Sequence, residues 1–385
     1  MSRNEGEAWS TAQVAAALAV GAIAVLIIGT QPIVLGALLE AKALTLEGVG
    51  LVAMGEIVAV GLGVVLGDAL LPGAQLRRIT IIAALLTVAL DLLTLRAVGD
   101  TALIAVRAAA GLAEGVLVWG TTGVIVRCAQ PARIGGVFFV VQTLAQAALG
   151  LVLAKTVVPP WGWQGAFVAL ALLSALVCVL AWLQPAKLAP LAPAAASGFR
   201  WSLATALPLA VVFLQLATLG AFWAYLDPLA QAAGFDAEAA QTLIAGVLVM
   251  QVIGGSVGSL AVRRWPVLPL LALASALLAA ATLTVHSLPP GRPQAFALAC
   301  AVFGFVWLFM LPFHIGLAFR ADASGRLAGL VPAAQLLGSA FGPLVASFMV
   351  QGEDASPVPL ASAGFAVLAA LLLLGTRRAV AVAPA

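Results

Sequence analysis

Residues 46–78 read LEGVGLVAMGEIVAVGLGVVLGDALLPGAQLRR. The part Leu46–Leu70 is almost wholly apolar, and at about 1.5 Å per residue it is long enough to cross a ~30 Å hydrocarbon layer as one helix. Polar residues and a proline then interrupt it, and two basic residues, Arg77 and Arg78, follow. The segment therefore predicts a membrane-spanning helix that ends beside an arginine-rich loop.

The same alternation of apolar stretch and polar interruption continues along the chain. Of 385 residues, 63% are hydrophobic and 9% are charged, and the mean hydropathy is +1.15. A soluble core does not need this much apolar surface, so the sequence predicts an all-α polytopic membrane protein that resides in the lipid bilayer. Cutting at the interruptions predicts twelve transmembrane helices: Thr11–Leu39, Leu46–Leu70, Leu76–Val98, Thr101–Val126, Ile134–Val157, Trp163–Leu183, Trp201–Ala230, Ala237–Val262, Val267–Leu288, Pro293–Phe319, Leu327–Val350 and Leu360–Leu374.

Basic residues are sorted by side of the predicted membrane. The side of the termini holds thirteen: Arg3, Arg77, Arg78, Arg127, Arg133, Lys187, Arg200, Arg263, Arg264, Arg320, Arg326, Arg377 and Arg378. The opposite side holds four: Lys42, Arg96, Lys155 and Arg292. The positive-inside rule then predicts a multi-pass protein of the bacterial cytoplasmic (inner) membrane with both termini cytoplasmic. Loops beside lipid headgroups explain the net charge of +3, so no nucleic-acid partner is expected.

The two halves of the chain repeat each other. A shift of 191 residues places a Glu and three Gly of the second helix on equivalents in the eighth: Glu47, Gly55, Gly63 and Gly67 on Glu238, Gly246, Gly254 and Gly258. A shift of 193 matches five more polar or small residues: Gly111, Arg127, Arg133, Gly136 and Gln142 with Gly304, Arg320, Arg326, Gly329 and Gln335. The repeat predicts two pseudo-symmetric six-helix bundles, residues 1–184 and 201–385, joined by a proline-containing cytoplasmic linker at 185–200.

The repeat and three local patterns resemble the major facilitator superfamily of secondary transporters. Arg107 with Gly111 is similar to a motif of the superfamily's fourth helix, and Gly338-x-x-x-Gly342-Pro343 is similar to a Gly-Pro motif of its antiporters. The charged loop after the second helix is similar too, and it contributes Asp68, Arg77 and Arg78. The resemblance, which covers the whole chain, implies alternating access between the bundles and a cytoplasmic gate formed by these three residues.

Four ionisable residues lie well inside the predicted helices of the first half, where charge is costly and is functional by default. Counted from the helix ends, Glu56, Asp91 and Arg107 lie roughly 9 to 12 Å deep, and Glu114 lies ~10 Å deeper on the face of Arg107. Arg107 is expected to compensate the charge of one of the carboxylates Glu56 and Asp91, so that the other could take up and release a proton. Glu114 is the main candidate for a proton carrier. The alternative is a fixed ion pair between Arg107 and Asp91 or Glu56 that only clamps the helices, and for Asp91 the clamp is favoured.

Amides, aromatics and a histidine in the helices are candidate solute ligands, because buried amides cost too much to face lipid. The candidates are Gln142, Gln146, Gln335, His314, Trp119, Trp307, Phe222 and Phe309. Aromatic walls with few fixed charges suit an amphipathic or aromatic organic solute. The alternative for each aromatic is ordinary helix packing, and for His314 it is a hydrogen bond to a neighbouring helix.

Two proline-containing pairs are candidate outer-gate elements. Pro32 follows Gln31 in the first helix, and Pro228 follows Asp227 in the seventh. Proline frees a backbone carbonyl, so both helices are expected to bend there. For Asp227 the alternative is a surface carboxylate at a helix end.

The function predicted from these residues is proton-coupled secondary export of a small amphipathic or aromatic organic solute, by a monomer without cofactor or metal. The alternative is import of a small organic anion by proton symport, with Arg107 as carboxylate ligand. An intramembrane enzyme would need clustered nucleophiles, bases or metal ligands, whereas the chain has two distant His and three scattered Cys. A sensor or scaffold with a transporter fold is a further alternative.

Overall fold

The computed structural model describes residues 9–189, 202–289, 291–322 and 326–382. Its helices in chain order are α1 Thr11–Ala24, α2 Leu26–Glu40, α3 Leu46–Leu70, α4 Leu76–Thr94, α5 Asp100–Ile125, α6 Pro131–Val152, α7 Val158–Leu183, α8 Leu203–Ala224, α9 Leu226–Ala232, α10 Ala237–Ala261, α11 Val267–Ser287, α12 Pro293–Ala321, α13 Arg326–Ser347 and α14 Val358–Val382. The side chains of 132, 204 and 375–382 are outside the description.

These helices account for the twelve predicted transmembrane segments. Within the described residues, nine helical stretches are long and apolar enough to cross a membrane, and one of them, Arg133–Leu183, contains two predicted segments. The third segment corresponds to α4, and the twelfth, Leu360–Leu374, lies within the shorter apolar helix Val358–Leu374. Large apolar side chains such as Leu172 and Leu260 are exposed on the outside of the bundle, as lipid contact requires. The predicted all-α, twelve-helix fold is confirmed.

Two predicted helices are each split by a break. The first segment breaks at Val25 between α1 and α2, and the seventh breaks at Tyr225 between α8 and α9. The prediction placed bends at both proline pairs. Pro32 lies inside helix α2, so the break in the first segment, at Val25, does not fall at this proline. Proline disturbs the turn that precedes it, so the break at Tyr225 is the expected effect of Pro228 three residues later.

Glycine seams hold the helices of each half together, in equivalent places. Gly63 of α3 lies on the Leu112 carbonyl of α5, and its repeat partner Gly254 of α10 lies on the Phe305 carbonyl of α12. At each glycine a Cβ atom would overlap that backbone. The sequence repeat is therefore a repeat of close backbone packing, α3 on α5 and α10 on α12.

The halves meet near the face that carries Lys42, Arg96, Lys155 and Arg292, named here the Arg-poor face; the opposite end is the Arg-rich face. There the Gly50 N–H of α3 donates to the Tyr225 hydroxyl at 3.1 Å, and Lys155 pairs with Glu238 at 2.8 Å. Gly50 also lies against the Pro343 carbonyl of α13. These contacts close the space between the halves at the Arg-poor face.

The start of the linker packs on the Arg-rich face of the first half. The Leu188 N–H donates to the Gly73 carbonyl at 2.8 Å, and the Arg77 N–H donates to the Ala186 carbonyl at 3.2 Å. The remaining linker residues 190–200 lie outside the described residues, as does Arg3. The domain boundaries at 184 and 201 therefore stay a proposal.

Candidate functional site

Four of the predicted site residues form one buried ion cluster in the first half. Arg107 of α5 donates through Nε to Glu56 Oε1 at 2.7 Å and through Nη1 to Asp91 Oδ1 at 2.7 Å. Its Nη2 contacts Glu56 Oε1 and also lies 3.2 Å from Glu114 Oε1. Each of the four side chains is at most 4% exposed. One guanidinium thus binds carboxylates from three helices, α3, α4 and α5.

Glycine packing explains why these side chains meet. Gly111 lies one turn after Arg107 and rests on the Glu56 carbonyl of α3, where a Cβ atom would overlap it. The glycine of the fourth-helix motif therefore places Glu56 beside the arginine. Glu114 lies two turns further along α5 on the same face, and its Oε1 atom is within 3.2 Å of Arg107 Nη2. Glu114 belongs to the same cluster and is not a separate, deeper site.

Two neighbours of the cluster were not singled out as site residues in the sequence. Gln31 of α2 donates to Glu56 Oε2 at 2.9 Å, and the Phe167 ring of α7 lies 5.2 Å from the Arg107 guanidinium carbon, a cation–π distance. Gln31 had a signal, since it precedes Pro32 and is a buried amide. Phe167 had none, because one more aromatic in an apolar helix is ordinary.

Glu114 is the incompletely satisfied member of the cluster. Its Oε2 atom is buried and has no hydrogen-bond partner within the described part of the chain. Glu114 and Asp91 border a cavity of about 10 Å³, which is room for about one water molecule. The cluster also contains three carboxylates against one guanidinium, so full ionisation would leave two uncompensated negative charges in a buried site. A proton on Glu114 would reduce that imbalance.

The second half contains a chain of buried amides around His314. His314 Nε2 lies 2.8 Å from Gln215 Oε1, and Gln335 Nε2 lies 3.1 Å from His314 Nδ1. Gln215 in turn donates to the Leu271 carbonyl at 3.1 Å and to Ser275 Oγ at 2.8 Å. The chain links α8, α11, α12 and α13.

The Leu271 carbonyl fixes which group donates and which accepts in each hydrogen bond around His314. The Leu271 oxygen can only accept, so the Gln215 amide nitrogen must face it and the Gln215 oxygen must face His314. His314 Nε2 therefore carries a hydrogen. No acidic residue contacts the ring among the described residues, so a neutral ring with Nδ1 as acceptor is favoured over a buried, uncompensated cation. Gln335 then donates to Nδ1 through its amide nitrogen, so the Gln335 amide oxygen is directed away from the ring.

Three of the predicted solute-binding aromatics pack inside a half in this structure. Trp119 lies on Gly67 and in a core cluster with Leu76. Phe222 contacts Phe303 at 4.7 Å between ring centroids, and the Phe309 backbone is covered by Gly258. Helix packing was the alternative for each.

Trp307 and Gln335 are the half-buried members of the predicted solute-binding set in the second half. Trp307 makes an edge contact with Trp223, 5.4 Å between ring centroids. In the first half Gln142 is half-buried, whereas Gln146 is buried and donates to the Val25 carbonyl at 2.7 Å. Gln146 therefore satisfies the carbonyl at the break between α1 and α2.

No hydrogen bond or ion pair joins the predicted gate residues Asp68, Arg77 and Arg78 to the second half within the described ranges. Arg77 donates to the Ala181 carbonyl at 3.2 Å and lies 5.1 Å from the Trp182 ring, so it ties α4 to α7 within the first half. Asp68 and Arg78 are exposed. Burial lowers the pKa of Arg127, and the negative charge of Asp68 acts in the opposite direction, which places Asp68 near Arg127.

Pro32 instead acts at the contact between the halves. A proline cannot donate to the carbonyl four residues earlier, which here belongs to Ile28. The Trp223 indole N–H of α8 donates to this carbonyl at 3.2 Å. Asp227 and Pro228 lie in α9 at the same face, and Asp227 is buried, so the interpretation as a surface carboxylate is wrong.

Comparison with known proteins defines the fold. No family model and no curated protein matches the sequence. Among solved structures, the nucleoside transporter NupG is 15% identical, with a TM-score of 0.67 over 95% of this chain and 99% of that one. A bacterial homologue of the human lysosomal transporter Spinster, inward-facing and unoccupied, is 14% identical, with a TM-score of 0.67 over 98% and 100%. A D-xylose–proton symporter is 14% identical, with a TM-score of 0.70 over 94% and 97%.

The chain is thus a polytopic α-helical membrane protein with the fold of solved solute transporters. More particularly, this twelve-helix, two-bundle arrangement is the major facilitator superfamily fold.

Proposed function

We propose that the protein is a proton-coupled secondary transporter that exports a small amphipathic or aromatic organic solute by alternating access. The fold supports transport. Proton coupling depends on one observation above the others, the unpartnered Glu114 oxygen in a cluster of three carboxylates and one guanidinium. When Glu114 binds a proton, the charges of the buried, water-free cluster are better balanced. When the proton leaves, water or rearranged contacts must stabilise the carboxylate.

The contacts of Arg107 also bear on the substrate. Its guanidinium binds three carboxylates and is about 1% exposed, so it is poorly placed to bind an organic anion. The Gln335 amide oxygen, in contrast, is directed away from His314 at a half-buried position, where it can accept a hydrogen bond from a solute. Together with the half-buried Trp307, this supports a solute that has an aromatic surface and hydrogen-bond donors, and it counts against proton symport of an anion.

A proteoliposome assay with a pH-sensitive dye in the lumen tests this proposal. Two probes are added to separate samples without an imposed gradient: ethidium, an aromatic amphipathic cation, and benzoate, an organic anion. Ethidium entry should move protons out of the lumen. Acidification of the lumen on benzoate entry, beyond that of protein-free liposomes, or co-entry of protons with ethidium, would contradict export by antiport.

The matched variant is Glu114→Gln, which keeps the shape of the side chain but cannot release a proton. We expect it to abolish proton movement while ethidium still equilibrates across the membrane. Glu353→Gln, at an exposed acid outside the cluster, is the control and should behave as the wild type. Unchanged proton movement in Glu114→Gln would exclude Glu114 as the coupling group.

A further inference from the structure

A second acid, far from the Arg107 cluster, is buried at the contact between the halves. Asp227 lies in the first turn of α9, directly after the break at Tyr225, and is about 1% exposed. Its Oδ2 accepts from the Gln231 side chain at 2.8 Å. Its Oδ1 is buried without a hydrogen-bond partner in the described part of the chain.

The carboxyl group is enclosed by the other half of the molecule. Gly36 of α2 lies directly against it, and a Cβ atom at Gly36 would overlap both the carboxyl carbon and Oδ2. The space for the Asp227 side chain thus exists only because α2 has a glycine there. Separating α2 from α9 would expose the carboxyl group, whereas closing the contact removes it from water.

Among the described residues, no cation pairs with Asp227. Arg292 and His286 border a cavity with Pro228 and Ala232 on α9, but Asp227 does not line that cavity. From α2 the nearby charge is Glu40, one turn after Gly36, which repels a carboxylate. From α10 it is Glu238, which is paired with Lys155 at 2.8 Å. The helix α8 has no charged residue, and the Tyr225 hydroxyl that follows it accepts from the Gly50 N–H. An ionised Asp227 would therefore be buried uncompensated, with one oxygen unsatisfied.

We propose that Asp227 is a second proton-binding site, which binds one proton from the solution at the Arg-poor face when the halves close there and releases it when they open. The proton adds to Oδ1 of the carboxylate on closing, and on opening the hydrated carboxylate returns it to water. This proposal rests on the proposed alternating access but not on coupling through Glu114. Acid then favours the closed Arg-poor face, and the ratio of closed to open molecules falls by up to about tenfold per pH unit where Asp227 ionises.

Distance measurement between spin labels tests the proposal on the full-length protein in nanodiscs. The labels are placed at Ala41, after α2, and at Ala232, at the end of α9, both exposed on the Arg-poor face, with Cys128, Cys178 and Cys300 replaced. In the wild type, the short-distance population should decrease as the pH is raised from 5 to 9. In Asp227→Asn it should stay high throughout. A pH response of Asp227→Asn equal to that of the wild type would overturn the proposal.

Further variants separate this result from misfolding and from failure of the proposed coupling. Glu40→Gln keeps Asp227 and removes the neighbouring negative charge, so the midpoint should move to lower pH; an unchanged midpoint counts against Asp227. Glu353→Gln, an exposed acid of the same face, should behave as the wild type. Glu114→Gln should retain the response. Loss of the response in Glu114→Gln alone would assign it to the first cluster and overturn the proposal, whereas failure of Glu114→Gln to alter transport affects only the proposed function.

Discussion

At the scale of single residues, the two ends of the His314 chain are chemically different although both are glutamines. Gln215 must donate to the Leu271 carbonyl and Ser275, whereas Gln335 donates to His314 from a half-buried position. Glutamate has the size of glutamine but cannot donate when ionised. The same substitution should therefore have opposite consequences at the two positions.

We predict that Gln215→Glu destabilises the protein by about 3–5 kcal/mol, because it buries a carboxylate against a carbonyl oxygen without a cation. Gln335→Glu should be much milder, since a half-buried carboxylate can be hydrated or can pair with a protonated His314. Thermal unfolding of both purified variants in one detergent measures the difference. Equal destabilisation of the two variants would mean that the donors and acceptors in the hydrogen bonds around His314 are not assigned correctly.

At the scale of helices, the hydropathy of the sequence located the membrane segments to within a few residues, but it could not show which side of a helix faces the solute pathway. In a soluble protein the polar face of a helix marks solvent. Here lipid, helix and pathway all accept apolar residues, so Trp119 and Phe309 could not be distinguished from wall residues before their neighbours were known. Ionisable residues were informative because lipid excludes them, and Glu56, Asp91, Arg107 and Glu114 do come together.

The glycine seams were visible in the sequence as spacings, but their partners were not. Two glycines of α10 allow a comparison between a glycine packed against another helix and a glycine with free space beside it. Gly254 lies on the Phe305 backbone, whereas Gly246 has no atom within 4 Å of a Cβ position among the described residues. We predict that Gly254→Val destabilises the folded protein by about 1–3 kcal/mol through overpacking, and that Gly246→Val leaves its stability nearly unchanged.

Size-exclusion profiles and thermal unfolding of these two valine variants test the seam directly, because both changes are made in the same helix and have the same β-branched penalty. A monodisperse Gly254→Val protein as stable as Gly246→Val would show that α10 and α12 do not approach as closely as described.

At the scale of the whole molecule, the closed Arg-poor face depends on a hydrogen-bond acceptor in one half and a donor in the other. Pro32 leaves the Ile28 carbonyl without its helical donor, and Trp223 of the second half supplies a donor in its place. The proline thus acts less as a hinge than as the means by which α2 presents an acceptor to α8. A seam of this kind can separate without breaking any helix, which alternating access requires.

This interpretation predicts a coupled effect of Trp223 and Pro32 on the equilibrium between closed and open forms, measured with spin labels at Ala41 and Ala232. Trp223→Phe removes the indole donor, so the closed form should lose about 1 kcal/mol, roughly a fivefold change in the population ratio. In a Pro32→Ala background the N–H of residue 32 can donate to the Ile28 carbonyl, so Trp223→Phe should have a smaller effect. Trp265→Phe, at an exposed tryptophan near the Arg-rich face, is the control and should change nothing. Equal effects of Trp223→Phe with and without Pro32 would show that the proline-freed carbonyl is not what holds the halves together.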